Sequence, residues 1–360
     1  MNVAVRTLRL WSGLALAAVS LIQAAGETSL HANFAAEQSV ISTSQLEYPY
    51  RVAVDLSGNI YISDTQANEV LKETWSQSTQ TYTESVVVST GLATPYGIAV
   101  DSSGNVYVAD NGHNRVVKET PSAGSYTQTV VSTTTALSYP TGIAVDSSGN
   151  LYIADTGGGK ILKEAPSGSS YTETVVGSGF NQITGIAVDS SGNVYASDID
   201  DMAIYEETLS AGTYTKSTVA TSGLNYPYDV AIDASGNLYI ADFSNKRIVE
   251  ETYISAGNYT QNVFPTANLA GPLGLAADAG GNLYIADTFG QAIKKETLAG
   301  GNFDAVQVGS ASPTISMLFS FAGGNIADTI GLAGIATLTQ GAAGRKEKGA
   351  CLRTCTGSNL

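Results

Sequence analysis

A fifteen-residue unit, best seen as Tyr96-Gly97-Ile98-Ala99-Val100-Asp101-Ser102-Ser103-Gly104-Asn105-Val106-Tyr107-Val108-Ala109-Asp110, recurs through most of this chain. Its copies are marked by aspartate pairs nine positions apart: Asp55/Asp64, Asp101/Asp110, Asp146/Asp155, Asp189/Asp198, Asp233/Asp242 and Asp278/Asp287. Successive copies are 43 to 46 residues apart, and there are six of them. A period in the forties that carries alternating apolar residues and turn signals is the length of one four-stranded propeller blade.

Each copy reads as strands. Gly-Ile-Ala-Val-Asp and Asn-Val-Tyr-Val-Ala-Asp are short, β-branched and aromatic, and a turn of the type Asp-Ser-Ser-Gly separates them. The Asp can accept bonds from the turn amides, and Gly104 can take the positive φ that a bulged hairpin needs. Small Ala99 and Ala109 suit strands buried on both faces. A third, more polar strand follows each second aspartate, as in Asn114-Arg115-Val116-Val117-Lys118-Glu119-Thr120, and a fourth follows a Gly-containing turn, as in Tyr126-Thr127-Gln128-Thr129-Val130-Val131. The expectation is an all-β, six-bladed β-propeller of four-stranded blades over residues 46 to 300. The alternating Lys and Glu of the third strands read as solvated edge protection.

The pattern Pro-x-Gly-Ile-Ala-Val-Asp-x-x-Gly-Asn-x-Tyr-x-Ala-Asp-x-x-x-Asn-Arg-Val resembles the NHL repeat, and Asn111-Gly112-His113-Asn114-Arg115 keeps its Asn-His-Arg element. The resemblance implies the propeller fold. It does not imply one activity, because NHL-type propellers serve as protein-binding, RNA-binding, sensor and enzymatic modules.

Outside the array, Arg6 and Arg9 precede an apolar run from Leu10 to Ile22, followed by Ala24, Ala25 and Gly26. That is the layout of a secretory signal peptide over residues 1 to 25, and the run is short for a membrane span. Export is expected, with cleavage near Ala24 or Ala25, to the periplasm, the cell surface or the medium. Residues 26 to 45 contain Gln38-Ser39-Val40-Ile41-Ser42-Thr43, which is similar to a fourth strand. Ring closure by this segment predicts pairing of Val40 and Ile41 with Ala292-Ile293-Lys294-Lys295-Glu296; the rival for the same place is Phe303 to Val308. Residues 301 to 360 resemble the truncated start of an immunoglobulin-like β-sandwich. Their Cys351 and Cys355 read as an incidental disulfide or two free thiols.

A net charge of −15 and only 14% charged residues argue against a nucleic-acid partner, which needs a basic stripe. With two histidines, His31 and His113, no triad or multi-histidine metal site can be assembled. No cofactor and no metal are expected. A calcium-dependent lactonase-type or lyase propeller would instead need acidic and amide side chains converging on the axis, and the twelve repeat aspartates read as turn residues.

Departures from the repeat at the start of the first strands carry the functional reading. These positions read Tyr50-Arg51, Tyr96-Gly97, Thr141-Gly142, Thr184-Gly185, Tyr228-Asp229 and Leu273-Gly274. They are expected to ring one mouth of the central channel, with Tyr50, Tyr96 and Tyr228 exposed there. Tyr50, Arg51, Tyr96, Thr141, Thr184, Tyr228 and Asp229 are the candidate ligand-binding residues. The expected role is a non-enzymatic scaffold, monomeric, that binds protein, peptide or glycan; the competing class is a metal-dependent lactonase or a lyase with its site on the axis.

Overall fold

The structure is a computed structural model. It describes the backbone of residues 6–12, 15–24, 27–43, 46–168, 170–219, 221–299, 314–318 and 335–339, and side chains between residues 38 and 297. The chain divides into two compact units. The larger contains residues 33–300 and is the ring; the smaller includes an antiparallel pair of strands, Thr314–Leu318 with Ile335–Thr339. In the stretch read as a leader, Arg6–Ser12 and Ala15–Ala24 run as strands. No described helix is long and apolar enough to cross a membrane.

Six antiparallel blades make the ring, as the period predicts: five are four-stranded sheets, and the four strands of the sixth belong to a six-stranded sheet. Blade 1 is typical: Pro49–Val54 is innermost, followed by Ile60–Asp64, Glu69–Ser76 and, outermost, Thr81–Val88. The innermost strands of blades 2 to 6 are Pro95–Val100, Pro140–Val145, Ile183–Val188, Pro227–Ile232 and Pro272–Ala277. Each packs beside the next, and that of blade 6 packs beside that of blade 1.

The core lies between blades. One cluster joins Ala99, Tyr107 and Ala109 of blade 2 to Ile143, Leu151 and Ile153 of blade 3, and each of the other five interfaces has a counterpart. Such a ring is only as stable as its seam. The strand Ala292–Ala299 of blade 6 pairs with Glu27–Ile41, in the register Ile293↔Ile41, Lys294↔Val40 and Glu296↔Gln38. The N-terminal segment therefore supplies the sixth blade's fourth strand, as its resemblance to a fourth strand predicts. Ile41 enters the core between blades 6 and 1, while Val40 faces out. The rival strand, residues 303–308, and the cysteines lie outside the described residues.

The twelve aspartates hold turns and loops. In every hairpin the first Asp accepts from the N–H two and four residues on at 2.8–2.9 Å, as Asp101 does from Ser103 and Asn105. Gly104 sits at φ 79°, as the bulged hairpin requires. The second Asp, at most 1% exposed, accepts an N–H from the loop leading into its own blade, as Asp64 does from Tyr48 at 2.7 Å.

One expectation fails. The glutamate of each Lys-Glu pair on the third strands is buried instead of solvated, from Glu73 to Glu296. A third strand is paired along both edges, and both its faces lie against neighbouring blades, with Leu71 in the core between blades 6 and 1 and Val70 in that between blades 1 and 2.

Candidate functional site

At the third residue of the inner strands the six backbones come so close that side chains have almost no room. A Cβ on Gly97 would stand 2.0 Å from the Thr141 carbonyl oxygen, and one on Gly274 2.6 Å from that of Tyr50. Four blades keep glycine here, and blades 1 and 5 place Arg51 and Asp229 instead. These two meet, with Arg51 Nη1 2.8 Å from Asp229 Oδ2 and both side chains almost fully buried. Nη2 of Arg51 also donates to the carbonyls of Thr184 at 2.9 Å and Tyr228 at 2.7 Å, and Nη1 to that of Leu273. The Leu275 N–H donates to Asp229 Oδ2 at 2.8 Å. A guanidinium from blade 1 thus ties down blades 4, 5 and 6, and the pair closes the neck of the channel like a latch. Burial pushes Asp229 up to about 6 against the pull of Arg51 and two backbone N–H groups.

On the hairpin side of the latch the inner strands line an open cavity of about 210 Å³, with Arg51 and Asp229 at its floor and Val54, Val100, Val145 and their counterparts around it. On the other side is a mouth rich in aromatic rings. Tyr50 stacks on Tyr96 with ring centres 4.3 Å apart, and Tyr48 lies 6.4 Å from Tyr50. Tyr48 meets Phe289 edge-on at 5.9 Å, Phe289 lies 5.6 Å from Phe243, and Phe243 meets Tyr228 edge-on at 5.1 Å. Six rings therefore form one arc across blades 2, 1, 6 and 5. The Arg51 guanidinium sits 5.3 Å from the Tyr50 ring centre, so the latch packs directly beneath the arc. Burial raises the phenol pKa of Tyr48, Tyr50 and Tyr228.

The seven candidate residues fall into two sets. Tyr50, Tyr96 and Tyr228 do share one mouth, but Tyr50 is buried beneath its neighbours, and Tyr96 and Tyr228 are half-buried. Arg51, Asp229, Thr141 and Thr184 are buried in the neck, where the threonine hydroxyls donate to the carbonyls of Ile183 and Tyr228 in the next blade. The surface actually offered to solvent comes from residues around them: Phe289 is 58% exposed, Tyr139 61% and Tyr226 42%. Tyr139 and Tyr226 hold φ at 51° and 55°. Thr94, at the equivalent place before Pro95, holds φ at 46°, so this left-handed turn recurs in the repeat and blades 3 and 5 place a tyrosine on it. The Tyr-Pro dipeptides at 48–49, 139–140 and 226–227 were the available sequence signal for them.

The histidine of the motif is structural, with His113 Nδ1 2.9 Å from Asp110 Oδ2, which Arg115 Nε also contacts at 2.7 Å. A divalent cation does not fit the neck: its one carboxylate, Asp229, is already paired, and the partner is a cation. Among the described residues no three His, Cys, Asp or Glu side chains are grouped to share an ion.

Three stretches, residues 92–118, 137–163 and 224–250, match the NHL repeat model. The chain carries NHL repeats. No curated protein matches it in sequence. Its fold is similar to that of a gluconolactonase from Xanthomonas campestris (TM-score 0.59, 15% identity, 74% of this chain and 90% of the other). It is similar also to virginiamycin B lyase from Staphylococcus aureus (TM-score 0.52, 16% identity, 72% and 97%). A third likeness is to a chain of a nidogen/laminin complex (TM-score 0.53, 20% identity, 64% and 84%). At these identities the NHL propeller shares a fold with two enzymes and a protein-binding partner. The immunoglobulin-like resemblance of residues 301–360 has no counterpart among these matches.

Proposed function

We propose that this protein is an exported, non-enzymatic binding propeller that takes a protein, peptide or glycan ligand at its aromatic mouth. The observation that carries the reading is the six-ring arc lying over a closed neck. Flat rings held in a rigid frame give contact area at little entropic cost. The latch beneath them occupies the neck, and its two charges are paired with each other and with backbone groups. Tyr96, Tyr228, Phe243 and Phe289 make the contact face, flanked by Tyr139 and Tyr226. Tyr50 supports Tyr96 from below, and Arg51, Asp229, Thr141 and Thr184 hold the rings' backbone in place. The apolar run at residues 10–22 supports export, and the ring closing within one chain supports a monomer.

The competing lactonase or lyase reading needs a metal or a histidine at the axis, and a guanidinium stands there. A glycan and peptide array probed with the mature protein tests the proposal. The reading expects hits that Phe289→Ala and Tyr226→Ala abolish. Lactone hydrolysis or lyase turnover that Asp229→Asn abolishes would replace it with the enzyme.

A further inference from the structure

The third strand of every blade carries a glutamate at the same repeat position: Glu73, Glu119, Glu164, Glu207, Glu251 and Glu296. None is more than 2% exposed. On the inner side each pairs in register with a valine, leucine or isoleucine of the second strand. On the outer side they oppose Glu84, Gln128, Glu173, Lys216, Gln261 and Gln38 in that order.

These partners do not meet the needs of six carboxylates. Glu119 has a donor, the Gln128 amide at 2.7 Å. Both side-chain oxygens of Glu73 and Glu251, and one each of Glu164, Glu207 and Glu296, are buried without a hydrogen-bond partner. The other charges in reach are few. Lys216 acts on Glu207, Glu250 adds repulsion at Glu251, and Lys294 beside Glu296 already bonds Asp287 at 2.8 Å. Glu73 and Glu164 each confront a second carboxyl, Glu84 and Glu173. Two carboxylates repel and neither can donate; one proton between them turns the contact into a hydrogen bond.

We propose that the ring closes tightly only with Glu73, Glu164, Glu251 and Glu296 protonated, so that protons act as fasteners of the interblade packing. The direction agrees with the environment of each group. Burial pushes Glu73, Glu251 and Glu296 up to about 7 and Glu164 up to about 8, and raises Glu119 and Glu207 as well. A folded-state pKa above the unfolded value of 4.5 means that the native ring binds more protons than the unfolded chain. Stability is then fully present below pH 4.5 and is lost as pH rises through 7 to 8. Asp229 acts with the same sign up to about 6. Glu173, lowered by its bonds from Thr135, acts oppositely, but only below the ordinary glutamate range.

The test is the melting temperature of the full chain from pH 4.5 to 8.5. A fall of roughly 5–10 °C across that range is expected. E73Q/E164Q/E251Q/E296Q, which replaces each acid by a neutral amide of the same shape, should remove most of the slope, whereas E119Q should keep it. A melting temperature that is level or rises towards pH 8 overturns the proposal, and so does an unchanged slope in the fourfold variant. Should that variant fail to fold, the infrared carbonyl band of protonated carboxylic acid in the native protein at pH 6 decides: its presence supports the fastener, its absence overturns it.

Discussion

The two faces of this ring are made from one repeat and have diverged in opposite ways. On the hairpin face all six copies do the same thing: each first aspartate accepts its hairpin asparagine's side-chain amide at 2.7–2.8 Å, and five also accept a tyrosine hydroxyl at 3.0–3.2 Å. At the mouth only blades 3 and 4 agree, with Thr141-Gly142 and Thr184-Gly185, and the exceptions in the other blades join into an arc and a latch. Sixfold sameness is what a structural task leaves behind, since every blade must make the same turn. Difference concentrated on one face, with exposed aromatic rings at Tyr139, Tyr226 and Phe289, fits the proposed contact with something outside the chain.

That contrast can be broken most forcefully at the seam and the neck. Deleting residues 27–44 removes the sixth blade's fourth strand together with the buried Ile41. The whole ring should melt earlier in one step, by calorimetry, instead of fraying at one end. Arg51→Ala leaves Asp229 buried and unpaired and should cost about 3–5 kcal/mol in denaturant unfolding. Asp101→Ala removes the acceptor for Ser103, Asn105 and Tyr107 and should cost about 1–3 kcal/mol without touching ligand binding. The smallest effect has the opposite sign. Tyr226→Gly relieves a left-handed residue and should stabilise the fold by about 1 kcal/mol while weakening ligand capture.

How much of this could be read beforehand divides along the same line. Blade number, hairpins, the role of the aspartates and the seam strand were all legible, because each repeats a local pattern or resembles one that does. The mouth was legible only as a place. Position within the repeat put Tyr50, Tyr96 and Tyr228 together, but whether a ring is covered depends on its neighbours from other blades, and Tyr50 is roofed by Tyr48 and Tyr96. Arg51 and Asp229 looked like two charges offered to a ligand. Only the closure of the ring, which brings blades 1 and 5 to the same neck, reveals that each is the other's partner. The buried glutamates were misread for a similar reason: Lys-Glu alternation is the mark of a half-solvated strand, and the preceding blade covers the face that carries Glu, as it covers Leu71 beside Glu73.

The claim that one face recognises a ligand and the other only holds the ring is tested most directly by affinity measured on both faces. With a ligand taken from the array, Phe289→Ala and Tyr96→Ala should each weaken binding at least about tenfold, or roughly 1.4 kcal/mol. Leu56→Ala, at the hairpin residue that is 85% exposed, should leave it unchanged. Wild-type affinity in both mouth variants, together with a loss in Leu56→Ala, would place recognition on the hairpin face and contradict the account.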